Sequence, residues 1–264
     1  MSLPPLPDTF HWTHESWGAA LRCRPLEPIA PHLFTTRQLA LTRDGYERLA
    51  ESVGARAVVT VVQVHGADVS VVRRGAPATG SPAQADALVS DDPEVAIAVR
   101  AADCVPLLMA DRVRGVVAAV HAGWRGTAAG AAVAALGALT REFSTRPADV
   151  VVAIGPSIGP CCYEVGSELV DAFAAAGHER YLIDRWFSAT PLPRGEFRAG
   201  REAPALRLDV AGSNRDQLIL AGIPEDQIHA AGLCTAMHLD ILTSYRAERE
   251  QAGRIVGAIR VASR

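Results

Sequence analysis

The sequence contains no lysine, because all 26 of its basic residues are arginine. Without a side-chain amine the chain cannot form a Schiff base with a substrate or use lysine as a general base, so these mechanisms are excluded. It also has no apolar run approaching the roughly 20 residues that a membrane-spanning helix needs, so we expect no membrane partner. Residues 1–5 lack the basic region and apolar stretch of a secretory signal, which predicts a cytoplasmic protein.

Other features that the sequence lacks argue against further classes of function. The formal charge of -3 provides no basic excess, so no nucleic-acid partner is expected. The five cysteines are odd in number and scattered, which predicts reduced thiols rather than a disulfide framework. Among the eight histidines there is no His-X-His pair. Blue-copper oxidases build several copper centres from clustered histidines, so the pattern disfavours a multicopper laccase.

The composition is that of a globular protein, with 49% hydrophobic and 21% charged residues. Strand-like and helix-like segments mix without a steady βαβ period, and neither a linker nor a repeat divides the chain. We therefore predict a single α+β domain over 1–264, with packed mixed β-sheets and outer helices. The predicted elements include strands over 56–64, 95–109 and 115–120, a helix over 127–143 that begins at Thr127 as N-cap, and a surface excursion over 181–205.

Two histidines and a cysteine stand out because each lies in or beside a turn that meets a β-branched run. They are His65, Cys104 and His121. Neighbouring strand ends could deliver all three side chains to one point. Three nitrogen and sulfur ligands with no obvious fourth are typical of a catalytic zinc site, which keeps one position open for water or substrate. The residues therefore predict a metalloenzyme.

Further polar residues surround this triplet. Asp103 lies within an apolar run, where an unpaired carboxylate is costly, so we predict a proton carrier or a partner of a ligand histidine. Arg125 and Gly126 stand just before the predicted helix that opens at Thr127, and an arginine beside a helix N-terminus predicts a phosphate site formed by Arg125, Gly126 and Thr127. The adjacent cysteines 161 and 162 should point to opposite sides of an extended chain, so at most one of them is expected near the metal.

Long sequence strings carry a resemblance to a known family. They are QVHGAD at 63–68, ADAL at 85–88, ADCVP at 102–106, HAGWRGT at 121–127, IGPSIGPCCYEVG at 154–166 and CT at 234–235. The chain resembles the family variously called polyphenol-oxidase laccase-like, purine nucleoside phosphorylase, or peptidoglycan editing factor. The match is tight over 56–170 and looser over 205–261. At 38–44 and near Arg246 the chain departs from the family pattern.

The resemblance implies zinc, with copper as an alternative metal, held by His65, Cys104 and His121. It also implies phosphorolysis of adenosine, inosine and methylthioadenosine, together with deamination of adenosine, so that the partners are purine nucleosides and phosphate. Three alternatives stay open: a copper-dependent polyphenol oxidase, a cytosolic peptidoglycan-editing factor, and a cysteine hydrolase with Cys104 as nucleophile. The sequence does not determine the oligomeric state or the physiological substrate.

Overall fold

The computed structural model describes residues 3–75, 82–188 and 206–263, and fifteen strands in three sheets lie within these ranges. In spatial order, the first sheet contains β1 (Phe10–Glu15), β2 (Gly18–Cys23), β3 (His32–Thr35), β15 (Ile255–Arg260), β7 (Val95–Ala101) and β4 (Ala57–Val59). The second contains β14 (Ile228–Ala230), β10 (Val150–Ile154), β8 (Val105–Asp111), β9 (Val116–Ala122), β6 (Ala87–Ser90) and β5 (Val69–Val72).

A short third sheet and the helices complete the described fold. The third sheet contains β11 (Glu164–Val165), β13 (Leu206–Leu208) and β12 (Phe187–Ser188). The α-helices are α1 (Arg43–Ser52), α2 (Trp124–Ala128), α3 (Ala131–Phe143), α4 (Glu168–Ala175), α5 (Arg180–Trp186), α6 (Val210–Leu220) and α7 (Tyr245–Glu248). None of the described helices is long and apolar enough to cross a lipid bilayer.

The two six-stranded sheets pack face to face, because their strands are apolar on both faces. In β7, Ile97 and Val99 point into the core between the sheets, together with Leu108 of β8. The alternate residues of β7, such as Ala98, pack on the opposite side with Leu49 of α1. This alternation is the two-residue period of a strand. A strand buried on both faces reads as a continuous apolar run, as seen here.

Helices cover the outer face of the second sheet. Leu139 of α3, Phe173 of α4 and Trp186 of α5 are buried in one core with Val120 of β9. The layers are therefore helix, sheet, sheet and helices. The predicted α+β domain of packed mixed sheets with outer helices is confirmed, while its limits at 1–264 stay a prediction.

Three predicted elements differ from the structure. The run 95–109 forms two strands, β7 and β8, which belong to different sheets. The segment 56–64 contains only the three-residue strand β4, so His65 does not end a strand. The helix predicted over 127–143 is two helices, α2 and α3, because Gly130 takes a left-handed conformation between them. Thr127 lies inside α2, whose N-cap is Gly123.

The predicted surface excursion is partly wrong. Its first residues form α5, where Leu182, Ile183 and Trp186 are buried. The helix is short and charged residues interrupt its apolar ones. The sequence therefore shows no regular apolar pattern that would predict a buried face. The remainder of the predicted excursion, 189–205, lies outside the described residues.

Candidate active site

Three separate elements bring the predicted metal ligands together. His65 lies in the bend that follows the bridge between Val62 and Gln84, Cys104 lies in the connection from β7 to β8, and His121 lies within β9. One nitrogen of each histidine and the Cys104 Sγ lie within 4.8 Å of one another. The imidazole rings of His65 and His121 meet edge to face, with centroids 4.9 Å apart. The structure therefore assembles the predicted triplet.

The connection between the two sheets, from β7 to β8, carries Cys104. Asp103 has a φ of 83° and His65 a φ of 61°, so both residues occupy the left-handed region. Such a conformation costs a residue with a side chain on the order of 1–3 kcal/mol and is concentrated at functional sites. The turn at Asp103 sends the chain from the first sheet to the second and leaves Cys104 at the start of β8, where Pro106 pairs with His121.

Asp86, a buried residue that sequence reasoning did not select as a site residue, connects the two histidines. Its carboxylate accepts hydrogen bonds from the backbone N–H groups of Val64, His65 and Gly66, at 3.2, 2.9 and 2.7 Å. The same carboxylate accepts a 2.8 Å hydrogen bond from His121 Nδ1. Because Nδ1 is used, Nε2 of His121 is the nitrogen left for a metal, an arrangement common among metal-binding histidines. In the sequence, the position of this acid within the apolar run 85–88 could have indicated it, because an unpaired buried carboxylate is costly.

Electrostatics in this group favour a thiolate. Burial raises the pKa of the Cys104 thiol, but hydrogen bonds and charge interactions with His121 and His65 outweigh burial and lower the pKa to about 7. Burial lowers the pKa of His121, yet its hydrogen bonds to Asp86 and Cys104 raise the pKa to about 9. The thiolate is the form of cysteine that binds metals and attacks electrophiles, so the site suits either chemistry.

Two glycines allow the segments that carry the predicted ligands to approach one another closely. A Cβ on Gly123 would lie 2.8 Å from Cys104 Sγ and 3.2 Å from His65 Cδ2. A Cβ on Gly126 would lie 2.9 Å from the carbonyl oxygen of Gly66. Side chains at these positions would push the ligands apart, which explains the need for glycine on both sides of Trp124 and Arg125.

The ligand atoms face a cavity of about 660 Å³. Among the residues that the structure describes, five arginines line it, and Asp103 is the single acidic residue in this lining. The aromatic side chains in the described lining are those of Trp124, Tyr163 and Tyr245. A basic, partly aromatic cavity suits an anionic ligand that carries a flat ring, because guanidinium groups bind phosphate and aromatic faces stack on rings. The five arginines are Arg100, Arg125, Arg246, Arg249 and Arg254.

Of the residues predicted to bind phosphate, one lines the cavity and two do not. Arg125 lines the cavity and its guanidinium lies over the Trp124 ring, 4.2 Å from the centroid. Gly126 and Thr127 do not line the cavity. The Thr127 N–H donates to the Gly123 carbonyl at 2.8 Å, and its hydroxyl accepts from Asn214 Nδ2 at 2.8 Å. Thr127 is therefore a buried structural contact within a helix of only five residues.

Asp103 lies beside the ligands, but its carboxylate is already hydrogen-bonded. The Thr235 hydroxyl donates to Oδ1 at 2.6 Å, and the backbone N–H of Arg246 donates to Oδ2 at 2.6 Å. The carboxylate partner of His121 is Asp86. Asp103 thus connects the turn before Cys104 to α7, which carries cavity residues.

The adjacent cysteines do not point apart as predicted. Residues 160–162 form a turn instead of an extended segment, and the sulfurs of Cys161 and Cys162 lie 3.6 Å apart. Both side chains are half-buried, and Cys234 lies beside them. The turn reverses the chain direction, so neighbouring side chains can share one side.

All eight histidines lie in the described residues, and only His65 and His121 belong to a group that could hold a metal ion. The structure therefore places no second histidine cluster in residues 3–75, 82–188 and 206–263.

Comparison with known proteins identifies similar sequences. A family model described as multi-copper polyphenol oxidoreductase laccase matches residues 38–262. Purine nucleoside phosphorylase YlmD of Geobacillus stearothermophilus is 36% identical over 207 residues, which cover 75% of this chain and 69% of the relative. A protein of Deinococcus radiodurans named purine nucleoside phosphorylase is 34% identical over 254 residues, which cover 87% of this chain and 88% of the relative.

Solved structures share the fold. The crystal structure of the hypothetical protein YfiH of Bacillus licheniformis has a TM-score of 0.82 and 26% identity, and the match covers 97% of this chain and 100% of that one. The crystal structure of YlmD from Geobacillus stearothermophilus has a TM-score of 0.78 at 31% identity, with the same coverage.

Proposed function

The chain belongs to the multi-copper polyphenol oxidoreductase laccase family, and we propose that it is a metal-dependent purine nucleoside phosphorylase. The relatives named purine nucleoside phosphorylase support a nucleoside-phosphorylase type of function. The observation that carries the proposal is one cavity that contains a nitrogen, sulfur and nitrogen donor set, five arginines and three aromatic rings. Its substrates would be adenosine, inosine and methylthioadenosine, with deamination of adenosine as a second activity.

His65, Cys104 and His121 would hold the metal, and the donor set fits zinc, with copper as the alternative. Their ligand atoms converge, the thiol has a lowered pKa, and Asp86 orients His121. When bound at three ligands, zinc supplies Lewis acidity to a substrate group or water at its open position. The chain's own contribution is to hold the ligands in place before the metal arrives.

Arginine side chains would bind the phosphate. Arg125 is exposed at the cavity and pairs with no carboxylate within the described residues. Arg246 lies in α7 and lines the same cavity, with its guanidinium 5.1 Å from the Tyr163 ring centroid. We assign phosphate to these guanidinium groups rather than to the amides of Gly126 and Thr127, because the Thr127 N–H is already bonded. Guanidinium forms paired hydrogen bonds with phosphate oxygens.

The reaction requires phosphate to attack the ribose carbon while the bond to the purine breaks, which yields ribose 1-phosphate and free base. Trp124, Tyr163 and Tyr245 offer flat faces for the purine. Asp103 is proposed to position Arg246 rather than to carry a proton, because both of its oxygens already accept hydrogen bonds.

Release of base from adenosine and inosine, followed with and without phosphate, tests the proposal. We expect base to appear only with phosphate and in step with ribose 1-phosphate, and activity to disappear in Cys104→Ser. Equal rates of base release without phosphate would identify a hydrolase instead. Inosine formation from adenosine, measured in the same samples, tests the deaminase activity separately.

A second candidate function is hydrolysis by a cysteine nucleophile. The specific observation is the order Cys104, His121 and Asp86, in which a thiol of lowered pKa adjoins an imidazole oriented by a buried carboxylate. This arrangement has the residue types of a nucleophile, its base and the group that orients the base. Metal analysis separates the candidates: full activity after complete removal of metal would support the thiol nucleophile.

A further inference from the structure

A second group of three thiols lies outside the ligand triplet. The sulfur atoms of Cys161, Cys162 and Cys234 all lie within 4.8 Å of one another. We propose that these three cysteines form a second metal site, which binds a single soft monovalent cation of the Cu(I) type. This proposal does not depend on the phosphorylase function.

The spacing of the sulfurs fits three-coordinate binding. A metal–sulfur bond of about 2.3 Å places the corners of a trigonal set of sulfurs about 4 Å apart. The Cys161 and Cys162 sulfurs are 3.6 Å apart, and the full set lies within 4.8 Å. Shifts of a few tenths of an ångström would therefore suffice to close the set around one ion.

The backbone leaves room for the sulfurs. A Cβ on Gly159 would lie 3.2 Å from Cys161 Sγ and 3.7 Å from Cys234 Sγ. The Gly159 N–H instead donates to Cys234 Sγ at 3.3 Å. The turn at 160–162 follows Gly159, and the bridge between Ser157 and Cys234 aligns the two segments.

The number and type of the sulfur donors determine which cation the site would prefer. Thiolates are soft ligands that prefer Cu(I), zinc and iron–sulfur clusters. Structural zinc and iron–sulfur clusters ordinarily take four protein ligands. The described residues give this group three sulfurs and no histidine or carboxylate. A cation that is satisfied by three sulfurs is therefore favoured over Zn²⁺.

Without a bound cation, the neighbouring thiols resist ionisation to thiolates. Burial and the neighbouring Cys234 raise the pKa of Cys161, and the same two causes raise the pKa of Cys162. A cation would offset the repulsion that opposes ionisation of neighbouring thiols. Binding replaces thiol protons with metal–sulfur bonds, so the protons pass to the buffer and no electron is transferred.

A bound ion would join a segment that lines the active-site cavity to a segment that holds Asp103, another lining residue. Cys162 precedes Tyr163, which lines the cavity, and Cys234 precedes Thr235, which donates to Asp103. Cu(I) at the cluster would connect these segments through metal–sulfur bonds. We therefore expect the ion to raise the unfolding temperature.

Titration of the reduced protein with Cu(I) under anaerobic conditions, against the competing chelator bicinchoninate, tests the site. The starting protein is Cys104→Ala, so that the ligand triplet cannot bind. We expect one Cu(I) per chain and a higher unfolding temperature. Adding Cys162→Ala or Cys234→Ala should weaken binding at least 100-fold and abolish the thermal shift, whereas adding Cys23→Ala, a buried cysteine of another core, should change neither.

X-ray absorption at the copper edge and circular dichroism complete the design. Three sulfur neighbours in the Cys104→Ala protein would support the site, and native-like spectra would show that the cluster variants fold. Binding that is unchanged by both cluster substitutions, or a copper shell containing nitrogen, would overturn the proposal. So would Zn²⁺ that binds while Cu(I) fails to compete, or a chain that only forms a disulfide among the three cysteines.

Discussion

His121 Nδ1 donates a 2.8 Å hydrogen bond to Asp86 Oδ1, and both side chains are buried. The same carboxylate accepts the backbone N–H groups of the turn that carries His65. One buried acid therefore orients one ligand through its ring and the other through its backbone. The geometry of the candidate metal site depends on this residue as much as on the ligands.

Replacing Asp86 with asparagine should weaken metal binding. The amide preserves shape but does not hold the proton on His121 Nδ1 by charge, and loss of such a partner typically costs 10–100-fold in metal affinity. Competition with a zinc chelator measures the loss. Asp184→Asn, at an exposed position in α5, is the matched control and should leave the affinity unchanged. An unchanged affinity in Asp86→Asn would contradict the assigned role.

The metal-free protein should show an unusually acidic thiol. Because the pKa of Cys104 is lowered to about 7, its alkylation by iodoacetamide should rise with a midpoint near pH 7. Cys161 and Cys162, whose pKa values are raised, should stay slow at that pH. Mass spectrometry of the labelled peptides distinguishes the sites. In His121→Gln the Cys104 midpoint should move upward, because the main interaction that lowers the pKa is lost.

The same two shifts predict how stability depends on pH. The lowered pKa of Cys104 contributes stability above its unfolded value of 9.0, which is lost as pH falls through about 7. The raised pKa of His121 contributes stability below its unfolded value of 6.5, which is lost as pH rises through about 9. Between pH 7 and 9 the Cys104 contribution grows while the His121 contribution shrinks, so the stability advantage of metal-free wild type over His121→Gln should stay nearly constant in this window. Denaturant unfolding at pH 7, 8 and 9 checks this, and a difference that changes steeply across the window would contradict it.

Gly123→Ala should disrupt the site with little effect on the fold. The added methyl would lie 2.8 Å from Cys104 Sγ, so the thiol or the turn must move. We expect the bound metal to fall well below one ion per chain, measured by elemental analysis. The control Gly137→Ala adds a methyl in the interior of α3, where the nearest atom is the flexible end of Arg141, and should be neutral or stabilising by up to about 1 kcal/mol.

Arg125→Ala should raise the KM for phosphate. A hydrogen bond to a charged group contributes about 1.5–3 kcal/mol, so a loss of roughly 10- to 150-fold is expected in kcat/KM for phosphate. The KM for the nucleoside should change less. Arg141→Ala, on the exposed side of α3, is the control. Equal loss for both substrates would indicate a general disturbance of the cavity rather than phosphate binding.

Thr127→Val should lower stability without affecting phosphate. The substitution removes a fully buried hydroxyl that accepts from Asn214 Nδ2, which costs about 1–3 kcal/mol. Thermal or denaturant unfolding measures the change, and Thr140→Val, an exposed position in α3, is the control. A selective rise in the KM for phosphate would restore the binding role predicted from the sequence.

Several features followed from local patterns alone. The apolar run at 115–120 predicted a strand, which is β9 in the structure, because the signals for a strand are read from adjacent residues. The three predicted metal ligands could also be selected from the sequence, since each has an unusual residue type beside a turn. These predictions needed no knowledge of what packs against what.

Other features depended on contacts between distant segments. Asp86 is separated from His121 by 35 residues along the chain, and nothing adjacent to either residue indicates their pairing. The cluster of Cys161, Cys162 and Cys234 depends on a turn and on a bridge to a segment more than seventy residues away. The division of 95–109 between two sheets depends on one left-handed residue, Asp103.

The sequence by itself thus determined the residue types of the site, the class of the fold and the absence of lysine chemistry, because each follows from composition or from neighbours in the chain. Only the tertiary structure decided which carboxylate orients His121, which arginines face the ligands and which thiols share a site. Hydrogen bonds and close contacts form between side chains brought together by sheet packing, and that packing is a property of the whole fold.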